Sequence, residues 1–514
     1  MSPSMGSQPR SAVELFDASA SEPWLRVRPK PARVLKNGMS RVLKYPHLAL
    51  SLAMSLAACD SGSDRAGANN PPDNAAGTAG VANGAGGTAG RTSDDSGAAG
   101  RSSDDGGTAG GSSDNGGTAG EAGSDIEVDD RPLPSGPPAS TGTPNVPEFE
   151  RAFPEQTRAP GMTTQTPFDV LEIAKGFKNP WAIAFLPDAR LLVTEKATGS
   201  LYIVTAEGTK SPAVTGLPEV DARGQGGLLD VEVGPDYASS GLIYWTYYEP
   251  RQGGNGLAVA RAKLDAGANP SVSELQIIFR MMPTLDSTLH AGGRLVFAPD
   301  GKLFITLGER SILEGRMQAQ KLDSHFGKIV RIEPDGSVPS DNPYVGMPNA
   351  KPEIWSIGHR NVLAATLDRS GRLWEVEMGP KGGDELNLVQ RAKDYGWPSI
   401  GYGEEYSGAV LHQSTQANGM EQPVYYWDPV ISPSGMTVYS GRLFPEWRGD
   451  FFIGGLSSTN LVRLMVRNDQ VVGEERLLKD RAERIREVVQ GPEGALYLLT
   501  DDTNGKLLKI VPKG

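Results

Sequence analysis

Arg484 and Arg486 stand one residue apart in RIREVVQ, so on a strand both guanidinium groups leave the same face. Arginine is a planar, always-charged fork that matches carboxylate oxygens two at a time, so the pair suits an anionic ligand. A solvated strand face has the same spacing. His290 is one of only 5 histidines in 514 residues. Its imidazole is suited to proton exchange near neutral pH, although a loop histidine bonded to a carbonyl looks no different in sequence. Residues 379–385 read GPKGGDE, an acidic glycine-rich loop. The chain has 1 cysteine, Cys59, which excludes disulfide scaffolds, cysteine-based zinc sites and iron–sulfur clusters. The 62 acidic against 50 basic residues leave a net charge of −12, which argues against a nucleic-acid partner.

The elements that must position these groups are strands. From 163 to 513 the chain alternates short apolar runs with turn signals, and no long helical periodicity appears. The turns repeat one chemistry: Leu186-Pro187-Asp188, Gly234-Pro235-Asp236, Ala298-Pro299-Asp300-Gly301, Asp368-Arg369-Ser370-Gly371 and Gly491-Pro492-Glu493-Gly494. Proline presets the turn, and glycine or aspartate tolerates its unusual dihedrals, so each marks a hairpin. The units begin near residues 180, 226, 292, 359, 434 and 485. A spacing of roughly 60 residues suits a four-stranded blade with loops, and radial repetition of such sheets leaves few open edges. The expected fold is therefore all-β, a six-bladed β-propeller over 163–513. An immunoglobulin-like array would need repeats of about 100 residues.

Two further segments precede the body. Residues 1–59 carry eight Lys/Arg against three Asp/Glu and end in RVLKYPHLALSLAMSLAAC. Arg41 and Lys44 form a positive start, and the apolar run after them is too short to span a bilayer comfortably. The ending Leu56-Ala57-Ala58-Cys59 resembles a bacterial lipobox. Residues 1–59 are thus expected to be a signal peptide with Cys59 as the lipidated residue, Met39 being a possible true start. Residues 60–147 are Gly, Ala, Ser, Thr and Asp in loose repeats such as GTAGRTSDDSG. Few apolar side chains offset the entropy of ordering this stretch, so it is expected to be a disordered linker. The expectation is an exported, membrane-anchored lipoprotein facing the periplasm or cell surface.

Seven stretches of the body resemble the soluble glucose/sorbosone dehydrogenase family, quinoproteins of the aldose sugar dehydrogenase type: GQGGLLDVEVGPDY (224–237), HAGGRLVFAPDGKLFITLGE (290–309), FGKIVRIEPDGSVPSDNPY (326–344), EIWSIGHRN (353–361), GPKGGDELNLV (379–389), DYGWP (394–398) and RIREVVQGPEG (484–494). They fall in the family's order. The resemblance implies a six-bladed propeller that binds pyrroloquinoline quinone (PQQ) and Ca²⁺ and oxidises the C1 hydroxyl of aldoses to lactones. It implies His290 as general base and Glu309 as the carboxylate that orients it, where the family's glucose enzymes have aspartate. It implies Arg360 beside the quinone oxygens, Gln225 and Asn361 as neutral cofactor contacts, and Arg484 and Arg486 as the grip on the cofactor carboxylates. For calcium it implies the carbonyls of Gly379 and Pro380, with Glu385 and the Tyr395 carbonyl at a second, structural site. His359 is read as structural. The partners implied are an aldose, a quinone or cytochrome as electron acceptor, and a membrane reached through the lipid anchor.

Three positions depart from the family pattern. Ser457 stands where a cofactor-contacting lysine is expected, Val362-Leu363 replaces Pro-Gln after GHRN, and Leu289 replaces an aspartate before the base. They favour a broad aldose dehydrogenase branch over a glucose-optimised enzyme. The alternative is a non-catalytic, surface-anchored propeller that binds a glycan or protein, since one fold serves many functions. A lactonase propeller would leave the arginine pair unexplained.

Overall fold

The computed structural model describes residues 129–514. The expected signal peptide with Cys59, and the linker as far as residue 128, lie outside the described residues. Six antiparallel sheets are arranged in sequence order, five of four strands and one of three. Blades 1 to 6 begin with the strands Pro180–Phe185, Leu228–Val233, Gly292–Phe297, Val362–Leu367, Pro433–Val438 and Ile485–Gln490, and these six strands contact one another around the centre. The outermost strand of blade 6 is Phe168–Phe177, which pairs with Gly505–Pro512 from Phe168↔Pro512 to Phe177↔Gly505. The start and end of the body thus close the ring by sharing one sheet, and the expected six-bladed all-β fold is the one observed.

The turn chemistry acts as the composition anticipates. In blade 3, Ala298 N–H donates to Lys302 O (2.8 Å), Gly301 N–H returns to Ala298 O (2.9 Å), and Asp300 Oδ1 takes the Lys302 N–H (3.1 Å). Gly234-Pro235-Asp236 differs, because a helical turn, Tyr237–Ser240, is inserted before the next strand.

Blades 1 to 4 are joined by a repeated threonine. Thr306 Oγ1 accepts Arg294 N–H from its own blade (2.9 Å) and donates to Val362 O in the next (3.0 Å). Thr194 does the same between Ala182 and Leu229, and Thr246 between Asp230 and Gly293. All three are fully buried. Each hydroxyl satisfies one donor and one acceptor that would otherwise be stranded in a dry interface.

Residues 129–147 were expected to belong to the flexible coil. They lie on blades 4 and 5 instead. Arg131 pairs with the buried Asp450 (2.7 Å), Asp129 with Arg467 (2.8 Å), and the Asn145 and Val146 N–H groups donate to Asp428 (2.9 and 3.0 Å). Further on, Gly161 bridges to Gly136 and to Glu474 at the edge of blade 5. The composition changes here from Gly/Ala/Ser repeats to PLPSGPP with charged anchors, and proline lowers the entropy lost on ordering.

Candidate active site

In each blade the first strand starts, and the antiparallel second strand ends, at the same end of the ring. That end also carries a register irregularity in all six inner hairpins: at Pro180/Ile183, Leu228/Val231, Ile305/Leu307, Val362/Ala364, Ser434/Met436 and Ile485/Glu487. Bulges of this kind re-aim side chains at a rim. Gln225, His290, Arg360, Asn361, Arg484 and Arg486 stand at first-strand starts. Glu309, Gly379 and Asp501 follow second strands.

His290 is buried and left-handed (φ +43), and its ring Nδ1 lies 2.9 Å from Glu309 Oε1. The glutamate side chain therefore reaches the ring directly. The other carboxylate oxygen accepts Ser311 N–H (2.8 Å), and Glu309 is fully buried. Burial and the Arg360 charge draw the His290 pKa below its ordinary 6.5, and the Glu309 carboxylate opposes them. Burial raises the Glu309 pKa, but its bonds to His290 and Ser311 and the Arg360 charge outweigh that, so it stays ionised. A neutral imidazole with Nδ1–H directed at a carboxylate leaves a lone pair on Nε2. The loop that carries His290 is tightly held. Gln225 Oε1 takes the His290 N–H (2.9 Å), and Arg310 N–H donates to the His290 carbonyl (3.1 Å). Gly308 permits this approach, because a Cβ there would meet the His290 carbonyl oxygen at 2.3 Å.

Arg360 lies over the Trp397 ring (5.1 Å to its centroid), and its Nη1 donates to the carbonyls of Met378 and Gly379, each at 2.7 Å. Its Nη2 reaches the Tyr406 hydroxyl (3.4 Å). The buried Nε of Arg360 and Nδ2 of Asn361 have no partner, while Asn361 Oδ1 accepts Gly292 N–H (3.2 Å). Two orphaned donors at the start of blade 4 fit an acceptor-rich ligand such as a quinone carboxylate. Arg484 and Arg486 converge on Asp501 Oδ2 (2.7 and 3.0 Å); Arg486 also donates to Ser434 Oγ (3.2 Å) and Arg484 to Leu456 O (3.2 Å). The two guanidiniums hold the Asp501 carboxyl well below the usual range despite its burial, which opposes them. Ser457 is exposed beside Leu456, its Oγ 3.5 Å from Val430 O.

The calcium candidates surround a cavity of about 20 Å³ lined by Arg360, Glu377, Gly379, Pro380, Glu385 and Tyr395 among others. Asp384 fixes the loop by taking the N–H groups of Gly379 (2.8 Å), Ile431 and Ser432 (each 2.7 Å). The Gly379 carbonyl already accepts Arg360, but an oxygen with two lone pairs keeps one for a cation. Burial, then the Glu377 charge, pushes the Glu385 carboxyl far above its ordinary range, and burial likewise pushes Glu375 up to about 7. Hard oxygen donors crowded this way fit a calcium ion. His359 lies 3.6 Å from both Glu375 and Glu377, donates to or accepts from Ser356 (2.9 Å) and stacks on Tyr395 (4.7 Å). Burial opposes its charge, yet the two glutamates win and raise it to about 9.

Sequence reasoning did not single out Asp501, Glu377, Asp384 or Arg310. A signal existed for the first two: when the units are laid over one another, LLVTEK, LFITLGE, LWEVEMG and LYLLTDD place Lys196, Glu309, Glu377-Met378-Gly379 and Asp501 at the same strand end.

The family profile for Glucose / Sorbosone dehydrogenase matches residues 177–509. Aldose sugar dehydrogenase YliI of Escherichia coli is 42% identical over 340 residues, which is 65% of this chain and 90% of that protein. The solved structure of the soluble aldose sugar dehydrogenase from Escherichia coli in its apo form is similar at TM-score 0.65 and 41% identity, over 67% of this chain and 100% of that one. The PQQ-bound form of an aldose sugar dehydrogenase from Streptomyces coelicolor is similar at TM-score 0.56 and 27% identity, over 68% and 100%.

Proposed function

The chain belongs to the glucose/sorbosone dehydrogenase family, and on that premise we propose that it is a PQQ-dependent oxidoreductase that converts the C1 hydroxyl of aldoses to lactones. The observation that carries the reading is the convergence, at one end of the ring, of a carboxylate-held neutral imidazole with three arginines and two orphaned donors. Arg484, Arg486, Asn361 and Gln225 would hold PQQ, which when bound supplies a two-electron acceptor for the hydride leaving C1. Glu385, with the carbonyls of Tyr395, Gly379 and Pro380, would hold Ca²⁺, a Lewis acid when bound.

The chain's own residues perform the proton chemistry. Glu309 keeps the ring proton on Nδ1 of His290, so Nε2 receives the C1 hydroxyl proton and the imidazolium that forms faces a buried counter-charge. Gln225 and Arg310 keep the His290 backbone in its left-handed turn. Arg360 presents an unsatisfied N–H and a full positive charge where negative charge gathers. We extend the proposal to the N-terminus: residues 1–59 export the protein, Cys59 anchors it, and the linker lets the propeller reach a quinone or cytochrome acceptor.

The full-length protein, supplied with PQQ and Ca²⁺, is assayed with glucose, xylose and maltose against an artificial acceptor. Turnover is expected, and His290→Ala abolishes it while PQQ still binds. A wild type that neither binds PQQ nor turns over sugar refutes the enzyme and favours the glycan- or protein-binding propeller, the reading that the neutral Ser457 supports.

A further inference from the structure

Lys196 follows the second strand of blade 1, Leu191–Glu195, at the same end of the ring as Glu309 and Asp501. Its surroundings tie it to both halves of the site. On one side its backbone N–H donates to Asn179 O (3.1 Å), and the Asn179 amide reaches Asp501 Oδ1 (3.5 Å), the carboxylate that Arg484 and Arg486 share. On the other side its Nζ donates to Gly224 O (2.8 Å), one residue before the glutamine that holds the His290 backbone. The side chain is half-buried, and among the described residues its ammonium makes no ion pair. An ammonium has three donors, and a neutral carbonyl uses one of them. Burial, then the Arg486 charge, draws the Lys196 pKa below its ordinary value, with Asp501 opposing, so the three charged groups act on one another.

Arg484 and Arg486 share the single carboxylate of Asp501, and the Lys196 ammonium adds a positive charge with no ion pair of its own among the described residues, an excess that a ligand with more than one carboxylate would neutralise. We propose that Lys196 is the third cationic contact of the cofactor site, supplying from blade 1 the charge that Ser457 does not supply from blade 5. The inference rests on the PQQ reading above.

The test is titration of PQQ into full-length protein in Ca²⁺, followed by the change in PQQ absorbance, with no sugar present. Lys196→Gln keeps a donor for Gly224 O and loses the charge; it is expected to weaken PQQ binding about 10-fold or more. Lys196→Arg is expected to stay within about 3-fold of wild type, and adding Ser457→Lys to Lys196→Gln is expected to recover most of the loss. Raising salt should weaken the wild type more than Lys196→Gln. Wild-type affinity in Lys196→Gln, or equal weakening in Lys196→Arg and Lys196→Gln, overturns the assignment and leaves the cofactor reading intact. A wild type that does not bind PQQ overturns both.

Discussion

Replacing Glu309 by glutamine changes almost no volume and removes one charge, which makes it the sharpest probe of the base. The carboxylate is fully buried, 2.9 Å from His290 Nδ1 and 2.8 Å from Ser311 N. At an effective dielectric of about 20, a charge pair at that distance is worth about 6 kcal/mol. That corresponds to a ceiling of about four decades in rate if all of it is realised as the imidazolium forms. The amide also has a hydrogen-bonding conflict. If its NH2 faces Ser311, two donors meet. If it faces Nδ1, the ring must accept there, and its proton moves to Nε2, the nitrogen that has to receive the substrate proton. We expect Glu309→Gln to lower kcat by about 10²–10⁴ while PQQ affinity stays within about 3-fold. The pH profile has a definite sign. A neutral base works above its pKa, so activity falls as pH drops through the folded-state pKa of His290, which lies below 6.5. Glu309 holds that pKa up against burial and Arg360, so its removal moves the acid limb to lower pH. Stopped-flow reduction of the PQQ-loaded enzyme between pH 4.5 and 8 gives both quantities. A kcat within about 10-fold of wild type, or an acid limb displaced upward, would refute the tautomer argument.

Two other perturbations test the scaffold and the cation loop. Thr306→Val is nearly isosteric but strands the buried Arg294 N–H and Val362 carbonyl, so urea unfolding should show a loss of about 2–4 kcal/mol; a loss under about 0.5 kcal/mol would remove the threonine stitch from the account. In the metal-free protein, Glu375 and Glu385 bind protons more tightly folded than unfolded, so stability declines as pH rises from their ordinary value of 4.5, through about 7 for Glu375 and beyond for Glu385. Ca²⁺ should therefore raise Tm more at pH 8 than at pH 5, and Glu385→Gln should abolish most of that rise. An undiminished Ca²⁺ shift in Glu385→Gln would move the ion elsewhere.

Much of the architecture is legible residue by residue. Proline, aspartate and glycine at the equivalent place announce the hairpins of five of the six units, because turn dihedrals are a local property of those residues. Alternation alone puts Arg484 and Arg486 on one face, since the strand period is two. The placement of the first described residues is less legible. Pro-rich 129–147 resembles a linker until its anchors Arg131 and Asn145 meet Asp450 and Asp428, roughly 280 to 320 residues away in sequence.

Composition and pattern by themselves determine the fold class, the blade count, the lone cysteine's place and the existence of a guanidinium pair. Only the tertiary structure decides that Glu309 meets Nδ1 of His290, that Asp501 receives both arginines, that Arg360 spends a donor on the Gly379 carbonyl, and that Lys196 stands between the two halves of the site. The reason is geometric: turn and strand preferences act over a few residues, whereas these contacts arise where six separate hairpins bring their equivalent ends around one axis, and no local spacing encodes which side chain crosses to which neighbour.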